Sequence, residues 1–321
     1  MRLAVLNSGL GRDGPGLLLR DIRRDAPDVL AVRDLIAAAR PDVLLLLRID
    51  YDLDGVALGA FAERLAEAGH PMPHRFAIRP NSGLATGLDL DGDGRLGTPD
   101  DAQGYGRFAG AGGMAILSRL PFDDAGVRDH SGFLWRDLPG ALLPEHQGRN
   151  FPSEEVFAIQ RLSSTGHWQV PIVTPAGTRL SLLAWHAGPP VFGGPHARNR
   201  RRNHDETAFW HHLLDDALPM PPPDRPFVVI GNANLDPSVG DGIHAAIRNL
   251  LAHPALQDPA PTGTRPGADG ADRTTAYWPR GPGAMRVSYI LPSRDLQVLD
   301  SGTIWPDEGR HALVWVDIAL P

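Results

Sequence analysis

The side chains able to do chemistry fall in a few short stretches. Asp89-Leu90-Asp91-Gly92-Asp93-Gly94-Arg95-Leu96-Gly97-Thr98-Pro99-Asp100 sets carboxylates on alternate positions. Carboxylates packed so closely repel one another unless a cation joins them. The spacing fits an EF-hand-type calcium loop. Asp89, Asp91 and Asp93 offer side-chain oxygens, Arg95 its backbone carbonyl, and Asp100 closes the site from the twelfth position. Gly94 permits the sharp turn, and Leu96 is the apolar residue expected to pin the loop to the core. Calcium held this way would be structural, because its ligands are saturated. Aspartate in place of glutamate at the closing position weakens bidentate closure, and Pro99 argues against a regular helix leaving the loop. The alternative is a solvated acidic turn.

Other stretches sit at the ends of β-like runs. Trp185-His186-Ala187-Gly188-Pro189-Pro190 puts a histidine at a strand's end before a Pro/Gly loop, a place suited to catalysis or simply to a histidine satisfied within its loop. Gly231-Asn232-Ala233-Asn234-Leu235-Asp236 follows a strong strand signal. Arg286-Val287-Ser288-Tyr289 and Gly309-Arg310-His311 come next. Gly9-Leu10-Gly11-Arg12-Asp13-Gly14 has dinucleotide-binding spacing, but that fingerprint needs its third glycine inside the first turn of a helix. Pro15 and Gly16 follow at once, so that reading is set aside. Arg198-Asn199-Arg200-Arg201-Arg202-Asn203-His204 reads as a solvated helix start, or else as charge brought to a phosphate cleft. His167-Trp168 is a candidate rim where an aromatic ring could stack a base or sugar.

These residues must be positioned by an α/β framework. Strand signals lie at Leu3–Leu6, Val43–Leu47, Gly113–Leu117, Leu180–Trp185, Phe227–Ile230, Val287–Leu291 and Ala312–Ile318. Helix signals lie at Val32–Ala39, Ala57–Ala68, His204–Leu214 and Ile243–Leu251. Strands spread over the whole chain and punctuated by Pro and Gly suit a two-layer β-sandwich flanked by helices, read as a single domain over residues 1–321.

Composition narrows the function further. The chain has no cysteine, and all 31 basic residues are arginine. Disulfides, thiolate nucleophiles, a Walker lysine and a Schiff-base lysine are thereby excluded. A net charge of −7 argues against a nonspecific duplex-DNA binder, which needs a basic face. Long nucleic acid is therefore the least expected partner, while a phosphorylated small molecule or a phosphodiester stays in play. No apolar run reaches membrane length, and the N-terminal residues lack a signal peptide's apolar stretch. A cytoplasmic location is favoured, although a calcium loop of millimolar affinity would suit the periplasm or exterior better. Oligomeric state is not readable.

In this order and spacing the segments resemble the endonuclease/exonuclease/phosphatase superfamily, from the first strand to the last. Its first-strand asparagine matches Asn7, its strand-end histidine His186, its Gly-Asp-x-Asn the segment Gly231 to Asn234, and its terminal Asp-His the pair Arg310-His311. Gly113-Met114-Ala115-Ile116-Leu117-Ser118-Arg119 is typical of that family. A bacterial branch carries a dockerin-like calcium loop and the Arg-Asn-His-Asp-Glu helix start found at Arg202 to Glu206. The resemblance implies metal-dependent phosphoester hydrolysis. A strand-end glutamate would hold the metal near the first asparagine, the aspartate of Gly-Asp-x-Asn would activate water, and two histidines would stabilise the transition state.

Against that template Asn7, His186, Asn234 and His311 are kept. Arg48 stands at the glutamate's place, Asn232 at the water-activating aspartate's, Ser288 where Arg-Val-Asp-Tyr has its aspartate, and Arg310 before the last histidine. An amide cannot take a proton from water, and a fixed cation disfavours a divalent metal. The expectation is a degenerate catalytic set, a pseudoenzyme that keeps an anion-binding cleft with Arg48 and Arg310 as anchors. The alternative is a working metal-dependent phosphodiesterase or phosphatase, with Asp50 recruited to a magnesium or manganese ion or Asp236 as base. A calcium-stabilised interaction module is a third reading.

Overall fold

Continuous apolar runs such as Val43–Leu47 mark strands buried on both faces. The computed structural model, which describes residues 1–319, puts them at the centre of two sheets. The first half of the chain gives β1 (Arg2–Asn7), α1 (Leu17–Arg23), α2 (Pro27–Ala39), β2 (Val43–Ile49), α3 (Val56–Glu67), β3 (His74–Phe76), β4 (Gly113–Ser118) and β5 (Arg128–Asp129). Then come β6 (Glu145–His146), β7 (Arg149–Asn150), α4 (Glu154–Ile159), β8 (His167–Val173), β9 (Arg179–His186) and α5 (Arg198–Leu214). The last part gives β10 (Phe227–Asn232), α6 (Ala245–Leu251), β11 (Ala276–Trp278), β12 (Gly283–Met285), β13 (Ser288–Pro292), β14 (Val298–Ile304) and β15 (Leu313–Ile318).

The six-stranded sheet runs β14-β15-β1-β2-β4-β3, and the five-stranded sheet runs β13-β10-β9-β8-β5. β1 and β2 are parallel, as are β9 and β10, so each sheet ends two central strands at the same edge. Alternation sorts the side chains. Leu3, Val5, Leu45 and Leu47 of one sheet pack against Leu182, Ala184, Val228 and Ile230 of the other, which makes the sandwich core. The outer face of the first sheet packs on α1, α2 and α3, and that of the second on α5 and α6. The expected two-layer sandwich flanked by helices is therefore observed. Each fully buried Leu, Ile or Val contributes about 1.5–3 kcal/mol by leaving water, so the inner core is the main source of stability.

The short strands β3, β5, β6, β7, β11 and β12 and the longer elements α1, α4, β8 and β14 carried too little signal in the sequence. β8 contains Gln169 and Pro171, and β14 contains Asp300, Ser301 and Gly302, which break an apolar pattern. The helix expected to begin at His204 begins at Arg198. His167 and Trp168 are fully buried on β8, so neither forms a cleft rim. Gly231 is required by close approach: a Cβ there would stand 2.1 Å from the Trp185 carbonyl oxygen and 2.4 Å from its ring.

Candidate functional site

The shared edge of the two parallel pairs gathers the strand-end residues. On β9, β10 and β13 the core residues Ala184, Ile230 and Ile290 point inward, and two residues along each strand so do His186, Asn232 and Ser288. Asn232 is the direct cross-strand partner of both His186 and Ser288, so the three form one lateral row. Asn7 follows Leu3 and Val5 on the inner face of β1, opposite that row. Asn7, His186 and Asn232 are all buried.

Arg48 enters through an irregularity of β2. Strict alternation would turn Ile49 inward with Leu45 and Leu47, yet Ile49 packs outward with Leu44 and Leu46. The β2–β4 register shifts between Leu47 and Ile49, and Arg48 has a left-handed backbone with φ of 55°. Arg48 is thus the extra residue of a bulge, a device that re-aims a side chain. It is exposed, and its charge is felt by both His186 and His311.

Burial, reinforced by Arg48 and by the other histidine, lowers the His186 pKa to about 3. Burial with Arg48 and Arg310 lowers that of His311 to about 4. Both rings are therefore neutral at neutral pH. Trp278 meets the His311 ring edge-on at 5.4 Å, from the β11–β12 hairpin. Four buried polar atoms along this edge have no hydrogen-bond partner: His186 Nδ1, Asn232 Nδ2, Ser288 Oγ and His311 Nδ1. Such atoms are rare in folded proteins and call for a ligand or ordered water. The Asn232 amide is oriented, because its Oδ1 accepts the Asn234 N–H at 2.6 Å. Its unpartnered NH2 is a donor.

The loops that carry these residues are clamped at their bases. Asn203 Nδ2 donates to the carbonyls of Gly188 and Ala233 at 2.7 Å each, joining the loop after His186 to the loop after Asn232. Glu206, wholly buried, accepts the Ser164 and Gly188 N–H groups on its two oxygens, and burial raises its pKa. Asn234, left-handed at φ 48°, donates through Nδ2 to the Ala187 carbonyl at 2.7 Å. Arg202 is buried and donates to the carbonyls of Gln103, Arg161, Leu162 and Ser163. Arg202 is therefore neither solvated nor a source of cleft charge, while Arg200 in the same stretch is exposed. No short-range pattern announces a guanidinium that binds carbonyls so far away in sequence.

Two carboxylates near the cleft have other tasks. Asp50 accepts the Arg12 N–H at 2.8 Å on one oxygen and the Gly112 N–H at 2.7 Å on the other, and its burial raises its pKa. Asp236 accepts the N–H groups of Ser238, Val239 and Arg286. Each braces loops through these bonds.

The acidic loop lies elsewhere. Asp89 accepts N–H groups from Gly92, Asp93 and Gly94; against the burial that would raise its pKa, these bonds hold it low. Gly94, at φ 82°, makes the expected turn, and Pro99–Asp101 is a short 3₁₀ turn rather than a regular helix. Two expectations fail. Leu96 is 69% exposed, and Leu90 is the residue buried in its place. Asp101, rather than Asp93 or Asp100, converges with Asp89 and Asp91, their ligand atoms lying within 4.8 Å of one another. Asp101 also closes a capping box with Thr98. Arg198, at the start of α5, is buried against the loop; burial lowers its pKa, while Asp91, Asp100, Asp101 and Asp89 oppose that shift.

No helix among the described residues is long and apolar enough to cross a membrane. Residues 6–315 match the model of the Endonuclease/Exonuclease/phosphatase family. Comparison with curated proteins finds no match. Among solved structures, the chain is similar to an endonuclease/exonuclease/phosphatase from Beutenbergia cavernae DSM 12333, with TM-score 0.60, 17% identity, and 100% of this chain and 71% of that one covered. It is also similar to the 3′ phosphatase NExo from Neisseria bound to product DNA hairpin, with TM-score 0.51, 16% identity and both chains fully covered. The human Nocturnin catalytic domain with bound sulfate anion matches with TM-score 0.54, 11% identity, and 99% and 93% of the two chains covered. At these identities the likeness to solved structures shows the fold.

Proposed function

We propose that this chain, which belongs to the Endonuclease/Exonuclease/phosphatase family, binds a phosphorylated ligand in its strand-end cleft with weakened or lost hydrolysis. The row His186–Asn232–Ser288, with its unpartnered polar atoms, carries that reading. The cleft is supplied with hydrogen-bond donors and with Arg48 and Arg310, a set that recognises oxyanions. It lacks the parts of a hydrolase. The Asn232 amide cannot accept a proton from water, and the neutral histidines have no carboxylate among the charges that shift them.

Family members typically depend on a divalent metal, and this donor set does not fit one. Magnesium takes oxygen ligands, usually carboxylates. Here the Asn232 oxygen is taken, both Asp50 oxygens accept backbone N–H groups, and Arg48 brings a fixed positive charge. The active-enzyme alternative, with Asp50 or Asp236 recruited, would draw on carboxylates that already accept backbone N–H groups from the loops they brace. A calcium ion in the acidic loop would be structural; the convergence of Asp89, Asp91 and Asp101 supports it, and Arg198 opposes it.

The deciding experiment is hydrolysis of nitrophenyl phosphate mono- and diesters with magnesium, manganese or calcium, against His186→Ala. The expected result is no turnover above that control, and partial recovery in Arg48→Glu/Asn232→Asp. Metal-dependent turnover of the parent chain that disappears in His186→Ala would sink the pseudoenzyme reading.

A further inference from the structure

We infer that the cleft takes the dianionic phosphate of a monoester directly, with the Arg48 guanidinium in the role a divalent ion has in the family. This deepens the reading above and rests on it.

The bulge is the first ground. A regular β2 would send residue 48 to the outer face, beneath the helices with Leu44 and Leu46. The extra residue instead leaves Arg48 at the strand end, where its charge acts on His186 and His311 together. A left-handed backbone at a non-glycine residue costs on the order of 1 kcal/mol and persists where the surroundings over-determine it. Gly112, next to the Gly113 that pairs with Ile49, donates its N–H to Asp50, which ties the bulged strand to its neighbour.

The second ground is the identity of the partners. Ser288 has no hydrogen-bond partner for its hydroxyl, and Asn232 none for its NH2 group. Both lie in the row that holds His186, on which the Arg48 charge acts. Such a site offers protons and charge, and few lone pairs for a hard cation. The charges that reach His311 are Arg48 and Arg310, both positive. Two fixed cations match a phosphate monoester, which carries about −1.5 to −2 at neutral pH. A diester brings a single charge and loses one terminal oxygen to its second ester bond. It therefore forfeits one charge-assisted contact, and the site discriminates against it.

The test titrates the protein with phenyl phosphate and with diphenyl phosphate by calorimetry, once in EDTA and once in magnesium. Phenyl phosphate is expected to bind with the same affinity in both buffers, and diphenyl phosphate at least about tenfold more weakly, the worth of one charge-assisted bond. Arg48→Gln is expected to weaken phenyl phosphate about tenfold in EDTA while the ligand-free melting temperature holds. Arg310→Gln, on the exposed side, gives a smaller loss and covers the case in which the Arg48 variant fails to fold. Binding that needs magnesium, or equal affinity for the two esters, overturns this inference and leaves the phosphoryl-cleft reading standing. Undiminished affinity in a folded Arg48→Gln protein overturns the role given to Arg48. Absence of binding by either ester in either buffer overturns the cleft reading itself.

Discussion

The strand-end cleft and the acidic loop use the same residue type in opposite surroundings. In the cleft an exposed arginine, Arg48, acts on two neutral histidines, one of them in the row that also holds an amide and a hydroxyl. In the loop a buried arginine, Arg198, stands against Asp89, Asp91, Asp100 and Asp101, with its Nε lacking a hydrogen-bond partner. The first arrangement leaves Arg48 without an ion pair and open to a ligand, with Asp50, which is already held by backbone N–H groups, the carboxylate its charge reaches. The second answers negative charge from within the chain. An arginine cannot shed its proton, so in a chain without lysine both charges are permanent. Burial and neighbours then decide whether a guanidinium recruits a partner or replaces one.

Acid titration is expected to separate the regions most strongly. His186 and His311 have folded pKa values of about 3 and about 4, below the ordinary value near 6.5. The unfolded chain therefore binds more protons across that window. The stability they contribute is complete above about pH 6.5 and is lost as pH falls through 4 toward 3, on the order of several kcal/mol in total. Burial raises Asp91 and Asp100 instead, so these two work in the opposite sense over the carboxylate range, while Asp89, held low by backbone N–H groups, does not. Chemical denaturation as a function of pH should show His186→Asn flattening the loss between pH 6.5 and 4. An unchanged slope would mean that the cleft histidines do not control it.

Arg198→Met tests the loop. In EDTA it should destabilise the chain by about 1 kcal/mol, because the part-buried Asp89, Asp91 and Asp100 and the buried Asp101 lose a nearby positive charge. Calcium should then restore part of the loss in the variant and do little for the parent. A variant as stable as the parent in EDTA would break the contrast drawn between the two arginines.

The smallest effect belongs to Leu96. As an exposed side chain it should tolerate Leu96→Ser within about 0.5 kcal/mol in thermal melts. A loss near 2 kcal/mol would instead place it as the core pin of a conventional calcium loop.

Much of the fold was legible because β1, β2, β4, β9 and β10 are apolar runs that few other elements could bury. The row His186, Asn232, Ser288 was legible as strand ends, since a two-residue period carries the core face outward. What escaped depends on partners distant in sequence. Asp50 and Asp236 look like idle acids until the N–H groups of Gly112 and Arg286 are seen on them. Arg202 looks solvated until four carbonyls close around it. In the acidic loop the spacing identified Asp89 and Asp91, but Asp101 could be told from Asp100 only by the 3₁₀ turn that aims it.

The clamp formed by Asn203 and Glu206 has a bearing on descent. It grips the loops after His186 and Asn232 by backbone groups, so the Arg48, Asn232 and Ser288 side chains take no part in it. An aspartate at position 232 would accept the Asn234 N–H as the present amide does. Mutation at the cleft is thus uncoupled from the frame that holds it, and a lineage can lose, exchange or regain its reactive groups by single-codon steps while the mount stays intact.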